Sequence, residues 1–215
     1  MPTSILGFID LETTGHDPLG FVDSPAGKVL TFWHEIIDIG CVFVRSDTLE
    51  NVGELEALVI PQHPERCIPN IINHFPERKA RGEWKDALSL NEAILGLLSA
   101  CHQYGEGNPI VPGGQNWFFD WSFLVVAFAL TQVEEKEWSK YLHYKRFDTA
   151  SMAVILLRQP GEGLDMSLFS LRSGKLQKAL GIKPEPVPHR AINGARQALE
   201  VFRKLEELKR GGSSR

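Results

Sequence analysis

Cysteine is scarce in this sequence. The three cysteines, Cys41, Cys67 and Cys101, are far apart and lack the Cys-x-x-Cys spacing. This scarcity excludes a disulfide-rich secreted scaffold, and the spacing is poor for a zinc site. It fits a protein of the reducing cytoplasm that uses cysteine as a small core residue. We therefore predict a cytoplasmic location.

Long apolar runs are also missing. No stretch approaches the ~20 residues that a membrane-spanning helix requires. The first ten residues, MPTSILGFID, carry neither a basic region nor a cleavage motif. We therefore expect no secretory leader and no association with a membrane.

The sequence has no excess of positive charge. It contains 23 Lys and Arg against 27 Asp and Glu, for a formal net charge of −4. This balance excludes a large basic surface for nucleic acid, although a local basic patch beside an acidic site stays open. The chain has 215 residues, of which 43% are hydrophobic, so it can bury a substantial core without disulfides. We predict one domain over residues 1–209 and a flexible tail over residues 210–215.

The apolar pattern predicts alternating strands and helices after an initial group of strands. Strands are expected near residues 4–10, 35–44, 55–60, 109–112 and 144–147. Helices are expected over residues 91–104, 120–131, 166–181 and 191–209, with another beginning at Asp148 as its N-cap. Residues 15–27 indicate a loop or an irregular hairpin. This order predicts an α/β fold with a mixed five-stranded sheet, three antiparallel strands followed by two parallel ones, and helices on both faces.

The stretch FIDLETTG, residues 8–15, places two acids after an apolar run. Asp10 and Glu12 alternate with Leu11, so in an extended strand both carboxylates project to the same face. Like charges held side by side raise each other's proton affinity, and a divalent metal ion commonly compensates them. The alternative is a strand that simply ends in solvated acids before a Thr-Thr-Gly turn.

Two other polar residues lie at or near the starts of predicted helices. Asp120 is expected at or near the start of an apolar helix, four residues after Asn116. An acid at that place is commonly a cap. His189 follows a segment stiffened by three prolines, at the start of the last helix, where a histidine is commonly a surface or capping residue. Each position alone is therefore a weak signal.

Taken together, the three stretches resemble the DEDDh family of 3′→5′ exonucleases, which have a ribonuclease H-like fold. Residues 10–15 match the family's Asp-x-Glu-Thr-Thr-Gly motif in full. Residues 116–120 match Asn-x-x-Phe-Asp, and residues 189–195 match His-x-Ala-x-x-Asp-Ala except that Gly194 stands at the Asp. The resemblance spans about residues 5–205, which is nearly the whole domain.

The resemblance implies a metal-dependent hydrolase that removes nucleotides from single-stranded DNA or RNA 3′ ends. Two Mg²⁺ or Mn²⁺ ions would serve the phosphodiester cleavage. By this resemblance Asp10 would bridge both ions, and Glu12 would bind the ion that holds the attacking water. Asp120 would support the second ion, and His189 would be the general base.

The same resemblance implies where the terminal nucleotide would lie. Leu11 would act as an apolar wedge, with Thr13 and Thr14 beside it offering backbone N–H groups. Asn116 would orient the scissile strand. DNA and RNA stay equally open as substrates, because the motifs are shared by enzymes that act on either.

Gly194 removes the fourth acidic ligand of the family pattern. Three acids would then face up to four positive charges, and a side chain at Asn193 points about 100° away on a helix. Two function classes therefore stay open: a 3′-5′ exonuclease, weakened by this loss, and a catalytically impaired nucleic-acid-binding or scaffold protein that retains the fold. A third reading is that Gly194 is an engineered or strain-specific change. The sequence also leaves the oligomeric state open.

Overall fold

The computed structural model describes residues 4–158, 161, 163–169 and 174–212. In this part of the chain the strands are β1 (Ile5–Thr13), β2 (Leu19–Ser24), β3 (Gly27–Phe32), β4 (Ile36–Arg45), β5 (Asn51–Leu58), β6 (Val111–Gly114) and β7 (Phe147–Asp148). The helices are α1 (Phe75–Ala80), α2 (Leu90–Tyr104), α3 (Trp117–Leu130), α4 (Glu135–Trp138), α5 (Thr149–Leu156), α6 (Lys175–Leu180) and α7 (Ala191–Gly212). Short 3₁₀ turns occupy Pro64–Arg66 and Met166–Phe169.

The main sheet has the strand order β5-β4-β1-β6-β7. The pairs β1–β4 and β4–β5 are antiparallel, whereas β1–β6 and β6–β7 are parallel. The predicted α/β fold, with three antiparallel strands followed by two parallel ones, is thus confirmed. A separate two-stranded sheet pairs β2 with β3. It begins in the segment predicted as a loop or irregular hairpin, and it continues beyond that segment to Phe32.

Helices cover both faces of the sheet, as predicted. On one face, Ile9 of β1 and Ile39 of β4 belong to a core cluster that also contains residues of α2 and α3. On the other face, Phe8 of β1 packs in a cluster with Val42 and with apolar residues of α7. Burying an apolar side chain of this size contributes about 1.5–3 kcal/mol, so the two clusters fix the sheet between its helices.

The start of α7 approaches the sheet most closely at β4. A Cβ at Gly40 would collide with the backbone of Ala191 and Ile192. Gly40 therefore lets the first turn of α7 lie directly against the strand, close to β1. This approach brings the segment that follows residue 188 over the strand that carries the two acids.

Several predicted boundaries differ from the structure. β1 continues to Thr13 rather than ending near residue 10, because its pairing with β4 continues past Glu12. β5 begins at Asn51 and ends at Leu58, before the predicted limit. β6 and β7 each lie about two residues further along the chain than predicted, at Val111–Gly114 and Phe147–Asp148.

The prediction of one continuous helix over residues 166–181 is wrong. The structure has the 3₁₀ turn Met166–Phe169 and then α6, with Gly174 in the left-handed conformation at φ 58° directly before α6. Residues 170–173 lie outside the described residues. Gly181 ends α6 in the left-handed conformation, as predicted.

No helix in the described segments has the length and apolar character needed to cross a membrane. The cytoplasmic location stays a prediction. α7 continues to Gly212, and residues 213–215 lie outside the described residues, so the tail over residues 210–215 also stays a prediction.

Candidate active site

Two acids lie near the end of the central strand of the sheet. In the β1–β4 ladder, Asp10 is opposite Gly40 and Glu12 is opposite Asp38. Because side chains alternate along a strand, Asp10 and Glu12 share the face of Phe8, which packs under α7. The strand geometry therefore places both carboxylates on one face, as the sequence predicts.

A buried asparagine holds Glu12 in place. The side-chain amide of Asn73 donates to Glu12 Oε2 and to the carbonyl oxygen of Thr13, both at 2.9 Å. Glu12 Oε1, the other carboxylate oxygen, lies 3.9 Å from His189 Nδ1. Burial raises the pKa of Glu12 to about 8; the Asn73 hydrogen bond opposes this rise, and the charge of Glu185 adds to it. Glu12 is therefore oriented, with one oxygen directed at the histidine.

The Asp10 carboxylate lies against α7 at Gly194. An ideal Cβ built on Gly194 would overlap both the carboxylate carbon and the oxygens of Asp10. Burial raises the pKa of Asp10 well above its ordinary value, and repulsion from Asp120, Glu12 and Glu185 raises it further. Asp10 thus lies where the negative charge of the site is concentrated.

Asp120 reaches the same end of β1 from α3. Its Oδ1 accepts a hydrogen bond of 2.9 Å from the backbone N–H of Leu11. Since α3 begins at Trp117, Asp120 is the fourth residue of the helix and not its N-cap; Asn116 takes the cap position in a left-handed conformation. Burial raises the pKa of Asp120 well above its ordinary value, although the hydrogen bond from Leu11 opposes that rise. The Asp120 contact ties α3 to the strand between the two acids.

Asn116 is also connected to the helix that follows β7. Its backbone N–H donates to Asp148 Oδ1 at 2.8 Å. Asp148 caps α5 by accepting from the N–H groups of Ala150 and Ser151, which confirms its predicted role as the N-cap.

The residues predicted to lie beside a terminal nucleotide are largely enclosed by the fold. Leu11 is 4% exposed and belongs to the core cluster below α3. Thr13 Oγ1 donates to the carbonyl oxygen of Gly15 at 2.6 Å, and Thr14 Oγ1 accepts from the N–H of Glu35 at 2.9 Å. These contacts shape the turn after β1. The roles of Leu11, Thr13, Thr14 and Asn116 toward a nucleotide stay predictions.

His189 stands just before α7, where the sequence placed it. Its backbone N–H donates to Ile72 O at 3.3 Å, and its carbonyl oxygen accepts from Arg78 at 3.2 Å. The ring Nδ1 lies 3.9 Å from Glu12 Oε1 and 3.4 Å from Glu185 Oε2. Burial lowers the pKa of His189, and the charge of His74 lowers it further. The imidazole is therefore disposed to be neutral near pH 7, with a nitrogen available to accept a proton.

Glu185 is a site residue that the three motifs do not contain. Its side chain is 9% exposed. Within the described segments, Glu185 joins Glu12 and His189 in a group whose ligand atoms all lie within 4.8 Å of one another. The signal for it in the sequence is modest: an acid between Pro184 and Pro186, four residues before His189.

Asp38 and Arg78 form hydrogen bonds with the backbone of the segments that carry the site residues. Asp38 is fully buried, and its Oδ2 accepts from the N–H of Ala191, the first residue of α7, at 3.3 Å. Burial raises the pKa of Asp38 to about 7. Arg78 is 1% exposed and donates to the backbone oxygens of Asn73 and His189. It thereby joins the residue that holds Glu12 to the segment that carries the histidine.

The donor atoms of the site fit a divalent cation. Four carboxylates, those of Asp10, Glu12, Asp120 and Glu185, are accompanied by the imidazole of His189. Oxygen donors of this kind suit Mg²⁺ and Mn²⁺. Burial is the largest cause of the raised pKa of each carboxylate, and repulsion from other acids adds to it. A bound cation would relieve that repulsion, so the residues present match the predicted metal dependence.

Comparison with solved structures identifies the fold. No protein-family model and no curated protein sequence matches the chain. The nuclease domain of 3′hExo, a DEDDh family member solved with bound rAMP, is 15% identical with a TM-score of 0.63; the match covers 98% of this chain and 94% of that one. Cell-death related nuclease 4 is 12% identical with a TM-score of 0.69, covering 96% of this chain and 65% of that one.

A third similar structure is a larger enzyme. Exonuclease I of E. coli, in complex with a dT13 oligonucleotide, is 17% identical with a TM-score of 0.61. The match covers 95% of this chain and 41% of exonuclease I, so this chain spans less than half of that protein. At such identities the similarity shows the fold, which is the α/β fold of DEDDh-family 3′-exonucleases, as the motifs suggested.

Proposed function

We propose that this chain is a metal-dependent 3′-5′ exonuclease that hydrolyses nucleotides from the 3′ ends of single-stranded DNA or RNA. The observation that carries the proposal is the meeting of three chain segments at the end of β1. Asp10 and Glu12 come from the strand, Asp120 from α3 and His189 from the start of α7. These are the acid and histidine positions of the motifs, in the fold of 3′-exonucleases.

The acids would hold two Mg²⁺ or Mn²⁺ ions. When bound, such ions supply Lewis-acid stabilisation of the phosphodiester oxygens and favour ionisation of a water molecule. The protein contributes orientation: Asn73 holds one oxygen of Glu12, and the N–H of Leu11 holds one oxygen of Asp120. Carboxylates held in this way would need little reorganisation to bind the ions.

His189 would accept the proton of the attacking water. Its Nδ1 lies 3.9 Å from Glu12 Oε1, which is beyond hydrogen-bond distance. The lowered pKa of His189 favours the neutral ring, so that one ring nitrogen could accept a proton when water attacks the phosphorus. Arg78 and Ile72 hold the backbone of His189 on either side, which limits motion of the ring.

The terminal nucleotide would lie beside the start of α3. Phe118 is 82% exposed and stands between Asn116 and Asp120 in the chain. An exposed aromatic ring at the start of α3 would offer a stacking surface for a nucleic-acid base. Asn116 would orient the strand, and the turn at Thr13 and Thr14 would lie beside its 3′ end, with the Thr14 N–H already donating to Glu35 O at 2.9 Å.

The test is single-turnover trimming of a 5′-labelled oligonucleotide. Single-stranded DNA, single-stranded RNA and a blunt duplex are each incubated with Mg²⁺ or Mn²⁺, and Asp10→Asn serves as the control for contaminating nuclease. We expect a ladder of products shortened from the 3′ end, present only with metal and lost in Asp10→Asn. Trimming that survives Asp10→Asn, or a pattern of internal cuts, would contradict the proposal.

Gly194 favours a second candidate, a nucleic-acid-binding protein that has lost catalysis. With glycine at position 194, the fourth ligand position of the motif has no carboxylate. In that case the protein binds single-stranded 3′ ends in Ca²⁺ and leaves every oligonucleotide uncut in Mg²⁺ and Mn²⁺. The same trimming assay therefore separates the two candidates.

A further inference from the structure

Position 194, where the third motif lacks its carboxylate, lies directly against Asp10. The Asp10 carboxylate already fills the volume beside the Gly194 Cα, so any side chain there would first have to displace it. A fourth acid can reach the same site from another direction without displacing Asp10. Glu185 does so, from the segment between α6 and α7.

The Glu185 carboxylate is nine-tenths buried and points into the site. One oxygen, Oε1, accepts a 3.2 Å hydrogen bond from the N–H of Arg190. The other, Oε2, lies 3.4 Å from His189 Nδ1 and accepts no hydrogen bond from any residue that the structure describes. A carboxylate withdrawn from water either takes up a proton or is stabilised in its ionised form by a cation.

The segment that carries Glu185 is stiff and anchored at both ends. Pro184 and Pro186 flank the residue, and each proline ring restricts the backbone. Before them, Ile182 is 5% exposed and packs in the core cluster with α6. After them, the N–H of Arg190 holds the carboxylate itself. The approach of Glu185 to the site is thus built into the backbone.

We propose that Glu185 is a metal ligand that takes the place of the acid missing at position 194. This inference rests on the proposed function, because the ion concerned is the one that Glu12 would hold. Glu12, Glu185 and His189 already offer ligand atoms within 4.8 Å of one another. With Asp10 and Asp120 they supply four carboxylates, which balance the charge of two divalent cations.

A role for Glu185 that is confined to His189 predicts different behaviour. A carboxylate that only orients the imidazole would change the titration of His189 and the pH profile of trimming, and it would leave metal affinity unchanged. A ligand changes metal affinity in the absence of any substrate. Metal binding is therefore the decisive measurement, and it does not depend on activity.

The experiment titrates Mn²⁺ into the full chain and counts bound ions by electron paramagnetic resonance and calorimetry, without nucleic acid. The variants are Glu185→Gln, Glu185→Asp and Asp10→Asn, with Glu106→Gln as the matched control, because the Glu106 side chain is 72% exposed and pairs with Arg45, which lies opposite Ile5 at the other end of β1. Circular dichroism and thermal unfolding in EDTA confirm that each variant folds. We expect Glu185→Gln to lose one ion or to weaken its binding at least ~10-fold, since a charged oxygen ligand is lost.

The remaining outcomes are equally specific. Partial recovery in Glu185→Asp and unchanged binding in Glu106→Gln would support the assignment. Mn²⁺ binding in Glu185→Gln equal to that of the unaltered chain would overturn it, as would an unaltered chain that binds no Mn²⁺. If Glu185→Gln binds normally while the unaltered chain trims 3′ ends, the ligand assignment fails and the exonuclease stands. If Glu185→Gln loses an ion while no substrate is trimmed, the assignment stands and the exonuclease fails.

Discussion

The Asp10 carboxylate lies directly over the Cα of Gly194, in the volume that a side chain at position 194 would occupy. The contact joins the first strand of the chain to its last helix. Gly194 therefore has two effects: it leaves the motif without its last carboxylate, and it leaves room for the side chain of Asp10. Substitutions at Gly194 should therefore act through Asp10.

Gly194→Ala should separate helix stability from metal binding. A methyl group there forces Asp10 to rotate away, while replacing glycine by alanine within α7 favours the helix by about 1 kcal/mol. We expect thermal stability in EDTA to stay equal or rise, and Mn²⁺ affinity to fall at least ~10-fold. Unchanged Mn²⁺ affinity in calorimetry would show that Asp10 does not need this position.

Gly194→Asp should bring a further carboxylate against Asp10. Repulsion between like charges in a buried site raises the pKa of both groups and lowers stability when both are ionised. We expect a lower melting temperature in EDTA at pH 8, and a larger rise on adding Mg²⁺ than the unaltered chain shows. Gly194→Asn, of nearly equal size and without charge, is the control. Equal metal responses of the Asp and Asn variants would contradict the electrostatic explanation.

The metal-free protein should lose stability as the pH rises from about 5 to 8. Burial raises the pKa of Glu12 to about 8 and the pKa values of Asp38 and Glu185 to about 7. Between the unfolded and folded pKa values the folded state binds more protons, so the free energy of unfolding falls with increasing pH. The slope is at most about 1.4 kcal/mol per pH unit for each group.

Urea unfolding in EDTA at several pH values measures this slope, and Asp38→Asn tests one contribution to it. Asp38 is not among the proposed ligands, and asparagine retains an oxygen that can accept from the N–H of Ala191. We expect a shallower slope in Asp38→Asn. Saturating Mg²⁺ should also flatten the dependence for the unaltered chain, because the cation favours the ionised acids. A stability that rises from pH 5 to 8 in EDTA would be inconsistent with the buried acids.

Arg78→Lys should destabilise the fold and weaken metal binding together. The Arg78 guanidinium donates to the carbonyl oxygens of Asn73 and His189 and pairs with Glu83 at 2.8 Å. Lysine cannot make this fork of contacts, so we expect a loss of about 2–4 kcal/mol in the free energy of unfolding. Arg81→Lys is the matched control, since Arg81 pairs with the same Glu83 but its side chain is 61% exposed. We expect that control to change stability by less than ~0.5 kcal/mol. Equal losses in the two variants would contradict a special role for Arg78.

The sequence predicts the sheet and the motif residues for clear physical reasons. Alternation in β1 places Asp10 and Glu12 on one face, and the start of an apolar helix places Asp120 near a strand end. Both are local properties that the spacing of residues reveals. The proline-stiffened approach to α7 likewise locates His189.

Other features depend on contacts between segments that are distant in the chain. Glu185 looks like a loop acid until the loop is seen to pack over β1, and Asn73 lies in a polar stretch whose spacing gives no helical or strand signal. The sequence does not reveal the break at Gly174, because the apolar residues around it keep a helical spacing. Whether glycine there continues a helix or takes a left-handed conformation is decided by tertiary packing.

The candidate site combines β1 with the start of α7, and this has a consequence for biosynthesis. Glu185 and His189 emerge from the ribosome only after Asp10 and about 175 further residues have been translated. At about 5–20 residues per second, the acids of β1 wait on the order of ten seconds or more for their partners. During that interval the nascent chain carries an incomplete cluster, and the candidate site is complete only after the segment from Glu185 to the start of α7 has been synthesised.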